Sequence, residues 1–251
     1  MSRRGRAVSN PSGLSRGGSK LAPALIVAGV ACALLAPSGA AGAGAPASQP
    51  LVLVLHDHVA RMAPSAHAGR IEAVDARRPL TRTRTVLPVL GQARNPSGGT
   101  WLRVRLPGRP NGHAGWISAK RTKATATPWH VLVKLSARWV TVFHGGHAVR
   151  HFRAVTGSPS APTPRGSYFI EESLALASYE PGSPFALATS ARSNVFQEFA
   201  GGPGQIGIHG TDNLSGTPGT AVSHGCIRLR TKAIAWMARR IGAGVPLTIR
   251  R

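Results

Sequence analysis

Past residue 50 the apolar residues of this chain come in short runs that alternate with polar ones and are broken by glycine and proline, of which the sequence has 30 and 20. Long helices cannot be built from such runs, because a helix needs an apolar stripe sustained over several turns. One stretch keeps helical spacing: Lys232 to Ile241, with Ile234, Met237, Ala238 and Ile241 on one stripe, Thr231 as the expected cap and Gly242 as the stop. The fold class is therefore expected to be all-β, or mainly β, with one short C-terminal helix.

Three segments are expected. Residues 1–50 are a leader and linker, 51–121 a small β module, and 128–251 a second β domain. In the β module, LVLVL (51–55), TVLPVL (85–90), TWLRVRLPG (100–108) and HAGWISA (113–119) alternate as strands do, with Trp101, Arg103 and Arg105 on one face and Leu102, Val104 and Leu106 on the other. Turn residues separate these strands at 95–99 and 107–112. The run WLRVRLPGRPNGHAGWI resembles the end of bacterial SH3-like modules that precede wall enzymes. That resemblance implies a barrel with a binding or spacer role. A basic, threonine-rich joint, Lys120 to Pro128, leads to the second domain. There His130 to Leu135, Arg138 to Phe143, Ala148 to Val155, Tyr168 to Glu171 and Pro246 to Ile249 read as strands, Gly145-Gly146 as a hairpin turn, and Pro159 to Gly166 as a proline-fixed loop.

At the N-terminus, Arg3, Arg4, Arg6, Arg16 and Lys20 precede the apolar run Leu21 to Ala36, and small residues follow from Ala40 to Pro50. This is the order of an export signal, with cleavage candidates at 41–45; an uncleaved anchor is the alternative. Cys32 is a poor lipidation site, because Gly29 stands where leucine is expected. The chain is expected outside the cytoplasmic membrane, touching it only through an uncleaved N-terminal segment. The formal charge is +23, and without the leader's basic residues it is still +18. A surface of that sign attracts polyanions, and outside the cell these are anionic wall polymers. Basic residues are spread along the chain and do not cluster with aromatics, which argues against nucleic acid.

The chemistry is narrowed by elimination. With eight acidic residues scattered along the chain, paired-carboxylate hydrolysis and carboxylate metal sites have little to draw on. Outside the leader there is one cysteine, Cys226, in the string SHGCIRL (223–229). A lone thiol in an exported protein has no partner in its own chain, and here His224 and Gly225 adjoin it, while His209 stands upstream in IHGT (208–211). Imidazole near a thiol favours the thiolate nucleophile. The stretch 210–222 holds Asp212, Asn213 and Pro218, loop residues able to return the chain so that Cys226 meets His209. Glycine at 225 lets the N–H groups of 224–226 converge as oxyanion donors. A zinc site from His209, His224 and Cys226 lacks an evident fourth ligand, so no metal and no cofactor are expected. His56 and His58, and His144, His147 and His151, read as surface or packed histidines, and the tryptophans as core.

IHGT and SHGCIRL together are similar to the signature of the YkuD-type L,D-transpeptidase catalytic domain, supported by PTPRGSYFI (162–170), PFALAT (184–189) and GVPLTI (244–249). The resemblance implies that Cys226 is the nucleophile, His209 the general acid/base oriented by the Gly210 carbonyl, and His224, Gly225 and Cys226 the oxyanion segment. Ser223 and Arg228 are the expected substrate-binding residues; Ser223 would support the turn, and Arg228 would either hold a stem carboxylate or brace the loop. The implied substrates are peptidoglycan stem peptides, donor and acceptor, joined in 3-3 cross-links through a thioester. Water as acceptor would make the enzyme an L,D-carboxypeptidase, and a lipoprotein lysine would make it an attachment enzyme. A non-catalytic wall-binding protein is the reading from another class. Asp212 is expected to be a turn residue.

Overall fold

The structure, a computed structural model, describes residues 45–251 apart from Ala200. The basic leader, its apolar run and Cys32 lie outside the described residues. The N-terminal part builds β1 (Gln49–Val54), β2 (His58–Arg61), β3 (Arg70–Val74), β4 (Val86–Arg94), β5 (Thr100–Arg105), β6 (Ala114–Ser118) and β7 (Thr122–Thr127). These form one seven-stranded sheet in the order β3-β2-β6-β5-β4-β1-β7. The rest builds β8 (Trp129–Lys134), β9 (Trp139–His144), β10 (His147–Arg153), β11 (Thr156–Gly157), β12 (Gly166–Ala175), β13 (Phe185–Arg192), β14 (Gln205–Gly210), β15 (Ala221–Ser223), β16 (Ile227–Leu229), the helix α1 (Thr231–Ala238) and β17 (Pro246–Arg250). An eight-stranded sheet runs β10-β9-β8-β17-β12-β13-β14-β16, and β11 pairs with β15 alone. The fold is mainly β with a single helix among the described residues.

Two cores hold this together, and β12 serves both. Tyr168 and Ile170 enter the core made by Val131, Val142, Leu187, Ile208, Ile227, Leu247 and the helix residues Ile234 and Met237. Phe169, between them, points the other way, into the core of Val52, Leu87, Val104, Leu106 and Ile117 in the first sheet. A strand covered on both faces loses polar alternation, and the run Tyr168-Phe169-Ile170 is fully buried for that reason. Full burial of the Phe169 side chain is worth about 1.5–3 kcal/mol, and it couples the two sheets. Both sheets belong to the compact unit 41–251.

Several sequence expectations change in detail. The joint at 120–128 is mostly strand: β7 pairs along the whole of β1, from Gln49 with Thr127 to Val54 with Thr122. The linker therefore ends at β1, which begins at Gln49. β2 and β3, four and five residues long, are too short to announce themselves by alternation, and they close one edge of the first sheet. Trp101 is buried on the arginine face of β5, so both faces of that strand carry buried groups. The helix begins with Thr231 and ends at Ala238, with Arg230 as its N-cap residue and no side-chain cap. The Thr231 hydroxyl is drawn instead to Asp212 Oδ1, 2.6 Å away. Ile241 remains buried beyond the helix end.

Candidate active site

β14 and β16 lie side by side and parallel at the edge of the eight-stranded sheet, with Ile208 opposite Ile227 and His209 opposite Arg228. Side chains alternate along a strand, so one face of this pair carries Ile206, Ile208 and Ile227, all buried in the core. The other carries His209 and Arg228, and Cys226, two residues before Arg228, continues that face. The parallel register thus places the thiol diagonally across from the imidazole, a separation that long and aromatic side chains span. Gly207, opposite the thiol on β14, donates its N–H to Cys226 Sγ at 3.4 Å.

The imidazole is fixed by two neighbours. Its Nδ1 lies 2.9 Å from the Gly210 carbonyl oxygen. A carbonyl can only accept, so Nδ1 carries the proton and Nε2 of the neutral ring is the free base. Gly182, in the loop between β12 and β13, packs against the ring: a Cβ there would fall 2.6 Å from Nδ1. Gly182 donates its N–H to the Asp212 carbonyl at 2.9 Å, and its own carbonyl accepts the Gly210 N–H at 2.7 Å. Asn213 ties the same loop down by donating Nδ2 to the Ser178 carbonyl at 2.8 Å. Asp212 accordingly works through its backbone in the loop and through its carboxylate at the helix start.

The turn from β15 to β16 is braced from within. Ser223 is fully buried, donates its hydroxyl to the Cys226 carbonyl at 2.6 Å and accepts the Gly225 N–H at 3.2 Å. Gly225 has φ +117, a conformation other residues rarely adopt. Its carbonyl accepts the Thr163 hydroxyl at 2.8 Å, and the same hydroxyl accepts the Gly157 N–H at 2.9 Å. In the sequence Thr163 stands in the proline-fixed loop and in PTPRGSYFI, one of the stretches that carry the resemblance, with no role assigned to it. His224 is exposed and points away from this bracing. Its ring meets Phe196 and Phe199, with centroids 5.7 Å and 5.5 Å away.

Electrostatics separate the roles. Burial pushes the Cys226 thiol above its ordinary value, and the Gly207 N–H and the Arg228 cation offset part of that. Burial also lowers the His209 value; the Gly210 carbonyl opposes the fall and the Arg228 cation adds to it. Arg228 is 7% exposed, donates Nη1 to the Ser215 carbonyl at 2.5 Å and leaves Nε without a partner among the described residues. A buried donor of that kind is costly unless something pairs with it. The site can thus supply a nucleophile, a base of fixed tautomer and a fixed cation on one face of two strands.

The sequence set of Cys226, His209, Gly210, Gly225, Ser223 and Arg228 is brought together. Only His224 sends its side chain elsewhere. Gly182, Thr163, Phe196 and Phe199 also build the site without having been singled out; Thr163 lies in the PTPRGSYFI stretch and Gly182 in a Pro-Gly-Ser turn, while Phe196 and Phe199 carry no local signal.

The family model for the L,D-transpeptidase catalytic domain, YkuD, matches residues 128–249. The chain is similar to the YkuD protein of Bacillus subtilis, 29% identical over 124 residues that make up 49% of this chain and 67% of that protein. It is also similar to that of Bacillus licheniformis, 26% identical over 157 residues, 60% of this chain and 87% of the relative. Among solved structures, an L,D-transpeptidase from Mycobacterium smegmatis aligns at 18% identity and a TM-score of 0.38, covering 61% of this chain and 91% of its own. L,D-transpeptidase 3 from Mycobacterium tuberculosis, in complex with a faropenem-derived adduct, aligns at 16% identity and a TM-score of 0.41, covering 66% and 91%.

Proposed function

We propose that this chain, whose residues 128–249 are an L,D-transpeptidase catalytic domain of the YkuD family, cross-links peptidoglycan stem peptides through a thioester on Cys226. The observation that carries the reading is the shared face of β14 and β16, where the thiol, the imidazole and the Arg228 cation lie together with the imidazole tautomer fixed.

The chemistry follows from that arrangement. His209 Nε2 takes the thiol proton as sulfur attacks the carbonyl that joins the third stem residue to D-alanine. Burial holds the thiol above its ordinary value, which favours removal of its proton by the imidazole as sulfur attacks. The oxyanion is met by backbone N–H groups of the SHGC turn. Because the Gly225 N–H is engaged by Ser223, those of His224 and Cys226 are the donors. The protonated imidazole then gives its proton to the leaving amine, the carbon–nitrogen bond breaks, and D-alanine departs. An acceptor amine attacks the thioester, its proton passes to His209, and the thiol is restored as a 3-3 cross-link forms. Each donated N–H of this kind contributes on the order of 10²–10³ in rate in other enzymes. Arg228, nearly buried and bonded to the Ser215 carbonyl, braces the loop between β14 and β15 and sets a cation beside the site.

The substrate requires an enzyme outside the cytoplasmic membrane, in keeping with the basic and apolar order of residues 1–36. No helix among the described residues is long and apolar enough to cross a membrane.

The test is intact-mass analysis of the full chain and of Cys226→Ala after exposure to a disaccharide tetrapeptide. The expected result is a covalent adduct with release of D-alanine in the parent alone. Dimeric products identify the acceptor as a stem amine, and a tripeptide product identifies it as water. A folded parent that forms no adduct and releases no D-alanine would overturn the proposal in favour of a wall-binding role.

A further inference from the structure

A buried polar network that the chemistry above does not use sits beneath the loop joining β13 to β14. Glu171 Oε1 accepts from Arg192 Nη1 at 3.0 Å and from Gln205 Nε2 at 3.1 Å. Arg192 ends β13, Gln205 opens β14, and the two are paired across the ladder. One carboxylate therefore holds both feet of the loop. Its other oxygen pairs with Arg78, which belongs to the N-terminal part of the chain that builds the first sheet.

The span of the loop is held from the same side. Arg109, in the turn between β5 and β6, donates Nη2 to the carbonyls of Ser193 at 2.8 Å and Phe196 at 2.9 Å, and Nη1 to that of Pro203 at 3.0 Å. Asn111 in the same turn accepts the Arg192 N–H at 2.8 Å, returns Nδ2 to the Arg192 carbonyl at 2.8 Å, and reaches Asn194 Oδ1 at 3.1 Å. The Gly108 N–H reaches the Ser190 carbonyl at 3.2 Å. On its far side the loop presents Phe196 and Phe199 to His224. His224 is two residues from the thiol. Val195, Phe199 and Val222 stand exposed around this contact, as an apolar rim.

We infer that Arg109 is a positioning residue for the thiol site, acting through the loop between β13 and β14 to seat Phe196 and Phe199 against His224. The residue type suits the task. A guanidinium offers five donors in a planar fork and can serve three carbonyls at once, whereas an ammonium is a point charge without that geometry. The first sheet is then part of the apparatus that shapes the entrance to Cys226, beyond the spacer role its sequence suggests. The effect on turnover rests on Cys226 being the nucleophile; the seating of the loop does not.

The experiment uses the full chain with Arg109→Ala, Arg109→Lys and Asn111→Ala, and with Gln49→Ala as comparator, since Gln49 donates Nε2 to the Val89 carbonyl at 2.8 Å within the first sheet and touches neither the loop nor its anchors. Amide hydrogen exchange over 193–204, the alkylation rate of Cys226 by iodoacetamide, and kcat and KM for the donor tetrapeptide are measured. Arg109→Ala and Arg109→Lys are both expected to speed exchange in the loop by on the order of 10-fold. Both should change the alkylation rate by at least about 3-fold, and lower kcat more than they raise KM. Asn111→Ala should follow in the same direction, and Gln49→Ala should match the parent. Unchanged loop exchange and alkylation in Arg109→Ala, or parent-like behaviour of Arg109→Lys, overturns the inference. If Arg109→Ala does not fold, the lysine and Asn111 variants decide. Exchange and alkylation need no turnover, so they test the seating of the loop even in a parent without transpeptidase activity.

Discussion

Replacing Gly182 by alanine should disable the site while sparing the fold. Gly182 has φ +89, and a Cβ there would lie 2.6 Å from His209 Nδ1 and 3.0 Å from Cγ. The backbone cannot retreat, because it is bonded on one side to Asp212 and on the other to Gly210. The ring must give, and with it the 2.9 Å contact from Nδ1 to the Gly210 carbonyl that fixes the tautomer. A left-handed conformation costs an L-residue about 1–2 kcal/mol. For a unit of this size that lowers Tm by roughly 2–8 °C. Loss of a positioned general base costs about 10²–10⁴ in rate. Gly98→Ala separates the two effects: its φ is +79, similar to that of Gly182, and nothing lies within 4 Å of its Cβ. The assay is single-turnover release of D-alanine, with thermal unfolding of both variants alongside. A loss of Tm is expected in both variants, larger in Gly182→Ala because its Cβ also displaces the ring, with a rate loss in Gly182→Ala alone. A folded Gly182→Ala enzyme with the parent's rate would refute this reasoning.

Arg228→Gln removes a cation that lowers both the Cys226 and the His209 values, so both should rise. The pH profile of Cys226 alkylation and the acid limb of kcat/KM should both move to higher pH; movement of either to lower pH would contradict the assignment. Glu171→Gln leaves the buried Arg192 without its carboxylate, while Arg78 keeps Glu172, a loss of about 3–5 kcal/mol, seen as a Tm lower by roughly 6–20 °C. A neutral result in calorimetry would mean that the network contributes nothing. The His113 value is raised, chiefly by its hydrogen bond to Glu72. Its contribution to stability is present below the ordinary histidine value, about 6.5, and lost as pH rises through the raised one. Thermal unfolding at pH 5.5 and 8.5 should show a smaller pH dependence in Glu72→Gln than in the parent, and an equal dependence would show that the pair contributes nothing.

The strands that bury one face were legible because their alternation survives in the sequence, as in β8, where Val131 and Val133 are buried and the residues between and beside them are not. β7 was not legible. It pairs with β1 at a sheet edge and buries one residue of its length, Thr127, so its composition is that of a loop. The helix shows the limit of capping rules. Thr231 has the right chemistry for a cap, yet a carboxylate brought from Asp212 by the fold competes for its hydroxyl and wins.

The two histidines of the motif show what spacing can and cannot say. One adjoins the thiol in sequence and the other precedes it by a long loop, and imidazole chemistry alone gives them equal standing as base. In the proposed mechanism the ladder favours His209. His209 lies in β14, on the face opposite the buried isoleucines, and its register against Arg228 fixes where the ring stands. His224 lies in the turn before β16, where the bonds of Ser223 to Gly225 and Cys226 hold the backbone and leave the side chain to the surface. It is then claimed by aromatic residues from a loop that carries no motif and is fastened by Arg109 and Asn111 from the other sheet. Local spacing reads chemistry held within one turn or one pair of strands. It cannot read a seat built by residues from another sheet, because nothing in SHGC records that Phe196 and Phe199 will be there.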